Sequence, residues 1–390
     1  MTAQEILRVL VGIPTPYSVS NLLLIDWAKR FLEGKGWRVE LFPYTDERGV
    51  DKANLIARPP GAPSDGSPID LAYVCHTDTV PMALGWTAAL DLTASGGGSF
   101  LHGCGACDAK GALACFLAAV DALPANGVDP GVALILTADE EIGCKGMRRL
   151  LEATKLHLRA AIVSEPTSLR PGIAGKGYGM ARITVKGIEA HSAHPLEGLS
   201  AISQAAKLIE RIDKLGTQFS GNAAQNADPL FDPPRTTVNI GVIQGGTAKN
   251  IVPGECWFLV EWRPIPADPP RAFLTELEWV VDSVRLEEPR VRIHVEPFRS
   301  ETGFSPDESG PLQLRLKAIG ERAGNPRQPI GISFGSEATR LAALSDEVIV
   351  LGPGDMHSAH SNRECVPASE LLEWTATLGA LLAEPLAARL

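Results

Sequence analysis

Gly131-Val-Ala-Leu-Ile-Leu-Thr-Ala-Asp-Glu-Glu-Ile-Gly143 joins a short apolar run to three consecutive acids. Residues 131–136 read as a buried strand, and Asp139-Glu140-Glu141 fall where that strand stops. In an open α/β sheet, ligands and chemistry collect at the strand ends. Successive residues there point opposite ways, so Glu140 and Glu141 can take different tasks, one holding a metal while the other moves a proton. Taken alone, the stretch reads equally well as a solvated acidic turn. The rest of the chain decides between the two.

Upstream, Asp70-Leu-Ala-Tyr-Val-Cys75 is a second buried strand and delivers His76-Thr77-Asp78 at its end. Residues 94–98 form a flexible Gly/Ser turn. Gly103-Cys-Gly-Ala-Cys-Asp108-Ala-Lys-Gly111 then leads into an apolar helix over 112–123. Its glycines permit a tight turn, and the helix start offers free N–H groups. Cys104 and Cys107 have the spacing of a zinc-thiolate pair, but no second pair completes it. The Gly-x-Gly pattern hints at a dinucleotide site, yet the third glycine and the distant ribose acid are missing. Downstream, a helix over 145–154 precedes a strand at 160–164 that ends in Glu165-Pro166-Thr167. Before all of these lie amphipathic helices at 2–12 and 20–34, broken by Pro14-Thr15-Pro16. Alternating strands at 37–44 and 53–58 and a Pro/Gly/Ser-rich loop at 59–68 follow. Strands alternating with helices imply a parallel-dominated sheet flanked by helices, an α/β fold.

The texture changes near Gly177. A strand at 178–186, a helix at 201–215, strands at 236–244 and 256–263, a helix at 271–283 and a strand at 290–298 follow the β-α-β-β-α-β order of a ferredoxin-like unit. Residues 177–300 therefore read as a small domain inserted into a larger discontinuous one, 1–176 and 301–390. From Ser309 the alternation resumes with a helix to about 322, a segment at 330–334, a helix at 337–344 and a strand at 347–351. The loop Gly352-Pro-Gly-Asp-Met-His357-Ser-Ala-His360 and a closing helix at 367–383 complete the chain. No internal repeat is visible.

A chain of 390 residues suits two domains, and 45% hydrophobic with 21% charged residues is ordinary for a protein with a full core. The net charge of −10 argues against nucleic acid and anionic membranes as partners. The 7 cysteines are scattered, which points to a reducing compartment rather than a disulfide framework. The first ten residues are too charged for a signal segment, and no run reaches the length of a membrane span. A cytoplasmic location is expected.

His76, Asp78, Asp108, Glu140, Glu141, Glu165 and His360 together make an inventory of imidazoles and carboxylates. It suits two borderline-hard divalent ions, most simply zinc. His-x-Asp-x-Val-Pro (76–81), Gly-x-x-Asp-x-Lys-Gly (105–111), Asp-Glu-Glu (139–141) and Glu-Pro-Thr (165–167) occur in that order. This ordered set resembles the dinuclear-zinc M20 peptidase and deacylase family, from about Ile6 to the C-terminal helix. Each residue also has a bland reading: His76 as a strand-end histidine, Asp108 as a helix cap, Glu165 as a turn acid.

The resemblance implies a zinc-dependent exopeptidase-like catalytic domain with an inserted lid and dimerisation domain. His76 and Glu165 would hold one zinc, Glu141 and His360 the other, and Asp108 would bridge both. Cobalt is the alternative ion. Two such metals, about 3.5–4 Å apart, share a hydroxide and polarise the scissile carbonyl. Glu140 would be the general base, and Asp78 would fix the ring of His76. His357 competes with His360, but the family's Ala before the ligand matches Ala359-His360. In Ala190-His191-Ser-Ala-His194-Pro195, the first histidine would reach across a homodimer to support the oxyanion; His194 is the competing choice and a plain surface loop the bland one. Asn250 would lie in a substrate loop, Arg263 would grip a substrate carboxylate, and Gly335 with Ser336 would line the substrate site. Cys75 stands where the family usually has Gly, Ser336 where Thr is more usual, and Cys104 and Cys107 flank the bridging acid.

Arg263-Pro-Ile-Pro, Phe334-Gly-Ser-Glu-Ala and Gly352-Pro-Gly354 look most like the acetylornithine deacetylase branch. The implied reaction is hydrolysis of a small N-acyl amino acid, N-acetylornithine to ornithine and acetate, in arginine biosynthesis. Succinyl-diaminopimelate desuccinylase is the nearest alternative, followed by an aminoacylase or exopeptidase. A catalytically dead metal-binding dimer is the reading outside enzymes.

Overall fold

A computed structural model of the chain describes every residue except 64–66, 125, 222–226, 270, 306–309 and 387–390. Part of the expected 59–68 loop and the expected helix start at Ser309 thus lie outside the described residues. Two compact units result: Met1–Ile173, Pro306–Ile330 and Ser336–Leu390 form one, Ala174–Ser305 and Gly331–Gly335 the other.

In the first unit the apolar run at 131–136 becomes the strand Val132–Thr137, buried at every residue. A strand apolar on both faces must be covered on both, and it lies inside an eight-stranded sheet. The order is Arg38–Thr45, Asp51–Arg58, Val132–Thr137, Ile69–His76, Leu158–Val163, Ser345–Val350, Gly172–Gly175 and Ile330–Ile332. The centre is parallel, with Ile69–His76 between Val132–Thr137 and Leu158–Val163, and Ser345–Val350 beside the latter. The leading hairpin, its join to Val132–Thr137 and the Ser345–Val350 to Gly172–Gly175 pair are antiparallel. Register matters here: His76 pairs with Thr137, and Val74 pairs with Val163. The residues just past each strand, His76 to Asp78, Asp139 to Glu141 and Glu165, therefore emerge along one edge.

The expected apolar helix runs Lys110–Ala122 and is buried on nearly all sides, as a helix without a polar face must be. It packs between Ala3–Val11 and Ala368–Leu382. Thr2 and Glu5 cap the first of these with a reciprocal pair of side-chain bonds. Tyr73 ties the layers: its ring stacks on Phe116 at 4.7 Å, its hydroxyl donates to the Ala112 carbonyl at 3.0 Å, and the indole of Trp374 donates to that hydroxyl at 3.1 Å.

The glycine-rich turn differs from its expected form. Thr93–Ser95 and Phe100–His102 pair around it, and Cys365–Pro367 adds a third strand. Gly96, Gly97 and Gly98 all have positive φ, 58°, 68° and 94°, which supplies the turn. Strands three residues long are too short to show alternation in a sequence.

The second unit is the ferredoxin-like one. Its antiparallel sheet has the order Thr237–Gly245, Glu255–Arg263, Tyr178–Lys186, Arg292–Glu301. Alternate residues Ala181, Ile183 and Val185 face inward with Phe258 and Val260. They meet Leu208 and Ile212 of Ala201–Gly221 and Leu277 and Val281 of Ala272–Glu287. Among the described residues no helix is long and apolar enough to cross a membrane.

Candidate active site

Two groups of possible metal donors stand at the strand edge of the first unit. One is His76, Asp108 and Glu165; the other is Asp108, Glu141 and His360. Within each, one ligand atom per residue lies within 4.8 Å of the others. Asp108 belongs to both. His76 Nε2 sits 2.8 Å from Asp108 Oδ1, and His360 Nε2 sits 3.3 Å from Asp108 Oδ2 and 3.1 Å from Glu141 Oε2. His357 is elsewhere, exposed and paired with Asp355 at 2.7 Å. Cys104 and Cys107 join neither group. All seven cysteines are free, and burial pushes the Cys75 thiol up to about 12 and raises those of Cys104 and Cys107. That is the environment of a packed, unreactive thiol.

The supports of these donors are specific. His76 Nδ1 meets the main-chain carbonyl of Asp78 at 2.9 Å, while the Asp78 carboxylate lies 3.7 Å from that nitrogen, beyond hydrogen-bond range. The expected hold on the ring thus comes from the backbone of Asp78. Its carboxylate instead accepts the N–H groups of Glu140 at 3.1 Å and Glu141 at 3.2 Å, which fixes the turn bearing both acids.

Asp139, at φ 57°, turns that corner in the left-handed region. Its buried carboxylate pairs with the buried ammonium of Lys52 and accepts from the Tyr44 hydroxyl at 2.9 Å. Lys52 also donates to the Tyr17 carbonyl at 2.7 Å. Removing one member of a buried pair leaves its partner undercompensated, at a cost of about 3–5 kcal/mol; the remaining cation beside Asp139 is the exposed Arg48 at 3.9 Å. Lys52→Met is therefore expected to lower unfolding stability by that amount, measured by urea denaturation. A loss within 1 kcal/mol, on the order of a surface pair, would contradict this account of the corner.

The electrostatics show what the site needs. Burial raises Glu165 well above the carboxylate range, and the charges of Asp108 and Glu140 add to it. Burial likewise pushes Glu140 up to about 8, with Glu141 and Asp78 contributing and His76 opposing. Burial raises Glu141 too, against a hydrogen bond from His360. Despite burial, His360 and His76 hold Asp108 below its ordinary range. Hydrogen bonds to Asp108 and Glu141 push His360 up to about 10. The cluster thus draws in positive charge, as protons when nothing else is bound. Glu165 Oε1 is buried and makes no hydrogen bond, a costly state for a carboxylate oxygen. Divalent cations replacing those protons and meeting that oxygen fit the donor set.

In the second unit, the loops bearing His191 and Asn250 lie side by side. The Ser192 N–H donates to the Asn250 carbonyl at 3.0 Å, and His191 bridges to Ile251. His191 is exposed, and its Nδ1 accepts the Ala193 N–H at 3.1 Å. A neutral ring then carries its proton on Nε2, ready to donate. His194 is also exposed. Arg263 Nε donates to Glu261 at 3.0 Å, and its guanidinium lies 4.3 Å over the Tyr178 ring, whose other neighbour is Arg299 at 4.5 Å. Among the described residues no partner takes the two terminal nitrogens of Arg263. Gly335 closes the short segment of this unit. Ser336 is buried in the first unit, and its hydroxyl accepts the Ala338 N–H at 3.3 Å.

Sequence reasoning passed over Lys52, Glu337 and Glu364. Glu337 is buried next to Ser336, and burial pushes its carboxyl up to about 7. Glu364 lies in the polar run Ser361-Asn-Arg-Glu364. The burial of acids in polar runs leaves no periodic signal.

The sequence profile described as Peptidase family M20/M25/M40 matches residues 72–384. A protein of Myxococcus xanthus named acetylornithine deacetylase is 40% identical over 374 residues, covering 96% of this chain and 95% of its own. One of the same name from Proteus mirabilis is 30% identical over 356 residues, 89% and 86% of the two chains. Among solved structures, a tripeptidase from Staphylococcus aureus superposes with a TM-score of 0.77 at 20% identity over 98% and 97% of the chains. A peptidase of Bacillus subtilis, described as dinuclear metal binding and of the M20 family, gives 0.67 at 16% identity over 98% of each chain. On the profile match and the identity to its relatives, the chain belongs to the peptidase family M20/M25/M40 and is a hydrolase.

Proposed function

We propose that the chain hydrolyses the acyl–nitrogen bond of a small N-acyl amino acid, and that its substrate is N-acetylornithine, yielding ornithine and acetate for arginine formation in the cytoplasm. The observation that carries the reaction class is Asp108 shared between two three-donor groups, with Glu140 next in sequence to one of their members. The choice of substrate is supported by the 40% identity to a relative named acetylornithine deacetylase.

His76, Asp108 and Glu165 would hold one ion and Asp108, Glu141 and His360 the other, zinc by preference and cobalt as a substitute. When bound, the ions supply Lewis acidity to a water and to the scissile carbonyl. Glu140 takes a proton from the water as its oxygen bonds to the acyl carbon. It returns that proton to the nitrogen as the carbon–nitrogen bond breaks, which restores the Glu140 carboxylate and releases the amine and acetic acid. The acid's remaining proton passes to the amine, so the products leave as an ammonium and acetate. Asp78 holds Glu140 and Glu141 by their backbones. We assign Arg263 to the substrate carboxylate, and Asn250, Gly335 and Ser336 to the rest of the substrate. The unit spanning about 177–300 is assigned to covering the substrate and pairing two chains. In that homodimer His191 donates from Nε2 to the acyl oxygen in the partner's site.

A substrate panel with added zinc or cobalt tests the choice. N-acetylornithine is expected to exceed N-succinyl-diaminopimelate, other N-acyl amino acids and dipeptides in kcat/KM by about 10-fold or more. Fast desuccinylation with no deacetylation would reject the substrate. Turnover of none of these compounds would reject the reaction class.

A further inference from the structure

Glu364 is not a member of either donor group, yet it is buried to 3% exposure beside them. Its carboxylate accepts three main-chain N–H groups from one loop: Gly105 at 3.0 Å on Oε2, Cys107 at 3.0 Å and Asp108 at 3.1 Å on Oε1. A buried carboxylate in this arrangement is a clamp on backbone, and bonds to a charged acceptor are among the strong ones. The clamped loop is the one that carries Asp108. It has little freedom otherwise: Gly105 is left-handed at φ +77°, and a Cβ there would come within 2.8 Å of Thr79. Lys110, at the start of the following helix, donates to the Ile13 carbonyl at 2.9 Å. Glu364 itself follows His360 by four residues and leads directly into Cys365–Pro367, which pairs with Phe100–His102. One carboxylate therefore joins the segment bearing the second histidine to the segment bearing the shared acid.

We propose that Glu364 is a positioning residue: by holding the Gly105–Asp108 backbone it sets the Asp108 carboxylate where it can serve both ions at once. The inference rests on the two-ion reading above. An acid common to two sites has little tolerance for displacement, because a shift that favours one ion lengthens its contact to the other. Outer partners of this kind change metal affinity by about 10–100-fold when removed. A carboxylate suits the task better than an amide. Glutamine has one acceptor oxygen, and its NH2 group would oppose at least one of the three N–H donors. Aspartate is one methylene too short to keep the same reach.

The test compares wild type, Glu364→Gln and Glu364→Asp, each stripped of metal and titrated with zinc against a chromophoric chelator, with cobalt absorption as a second readout. Wild type is expected to take up two ions. Glu364→Gln is expected to bind them about 10–100-fold more weakly, with an altered cobalt spectrum, and at saturating metal to show a lower kcat with KM little changed. A purely structural role would lower the melting temperature and leave ion affinity and spectrum as in wild type, and that result overturns the proposal. Should neither variant fold, hydrogen exchange on the wild-type chain decides. The amides of Gly105, Cys107 and Asp108 are expected to be strongly protected, and free exchange at them overturns the assignment. Failure of wild type to bind two ions would count against the two-ion reading itself, which separates the two outcomes.

Discussion

Glu140→Gln is expected to lower kcat by about 10³-fold, within the range for loss of a general acid–base group, while metal content stays at the wild-type level. The separation follows from geometry. Glu140 belongs to neither donor group, so its carboxylate can be neutralised without emptying them. Its backbone N–H remains on Asp78, so the turn that carries Glu141 keeps its place. Glutamine preserves volume and removes only the capacity to take a proton. Metal analysis and steady-state kinetics on the same preparation check both halves. A variant retaining more than about a tenth of the wild-type kcat would remove Glu140 from the proton path, since base catalysis contributes at least about 10²-fold. A variant without metal would mean that Glu140 is a ligand after all.

Asp108→Ala is expected to have the opposite signature. Asp108 is the one residue common to both groups, so its removal leaves two donors on each side instead of three. Neither remainder is a complete site for a divalent ion. Both ions should be lost together, and activity should fall by more than about 10⁴-fold, the several kcal/mol that Lewis-acid stabilisation supplies. His360→Ala makes the contrast: it spares His76, Asp108 and Glu165, and one ion should remain. Elemental analysis after gel filtration distinguishes two, one and none. If Asp108→Ala keeps two ions, the sharing read from the geometry is wrong.

Much of the fold was legible because its central strands are apolar runs cut off by single polar residues. Val132–Thr137 and Ile69–His76 each stop at the residue where chemistry begins, and register then brings the ends level. That pattern puts His76, Glu141 and Glu165 at strand ends on one edge of the sheet, while their grouping around Asp108 is read from the structure. Asp108 and His360 do not end strands, and only the order of the motifs pointed to them. His357 and His360 are equivalent to any reading of periodicity. They part because His357 pairs with Asp355 while His360 reaches Asp108 and Glu141. The three-stranded sheet escaped notice because its pairings join Phe100–His102 to Cys365–Pro367 across most of the chain. Lys52 and Glu364 escaped for a related reason. Each is a charged residue whose burial is settled by a partner far away in sequence, Asp139 and the Gly105–Asp108 backbone.

His360 reaches Glu141 across 219 positions, and Glu364 reaches Gly105 across 259. During synthesis, then, the nascent chain holds His76, Asp108 and Glu165 long before their last neighbours leave the ribosome. Loop closure over such spans is slow and comes late. On the two-ion reading, a second cation has to wait for the segment bearing His360, and a chain interrupted before residue 360 carries one donor group of the two.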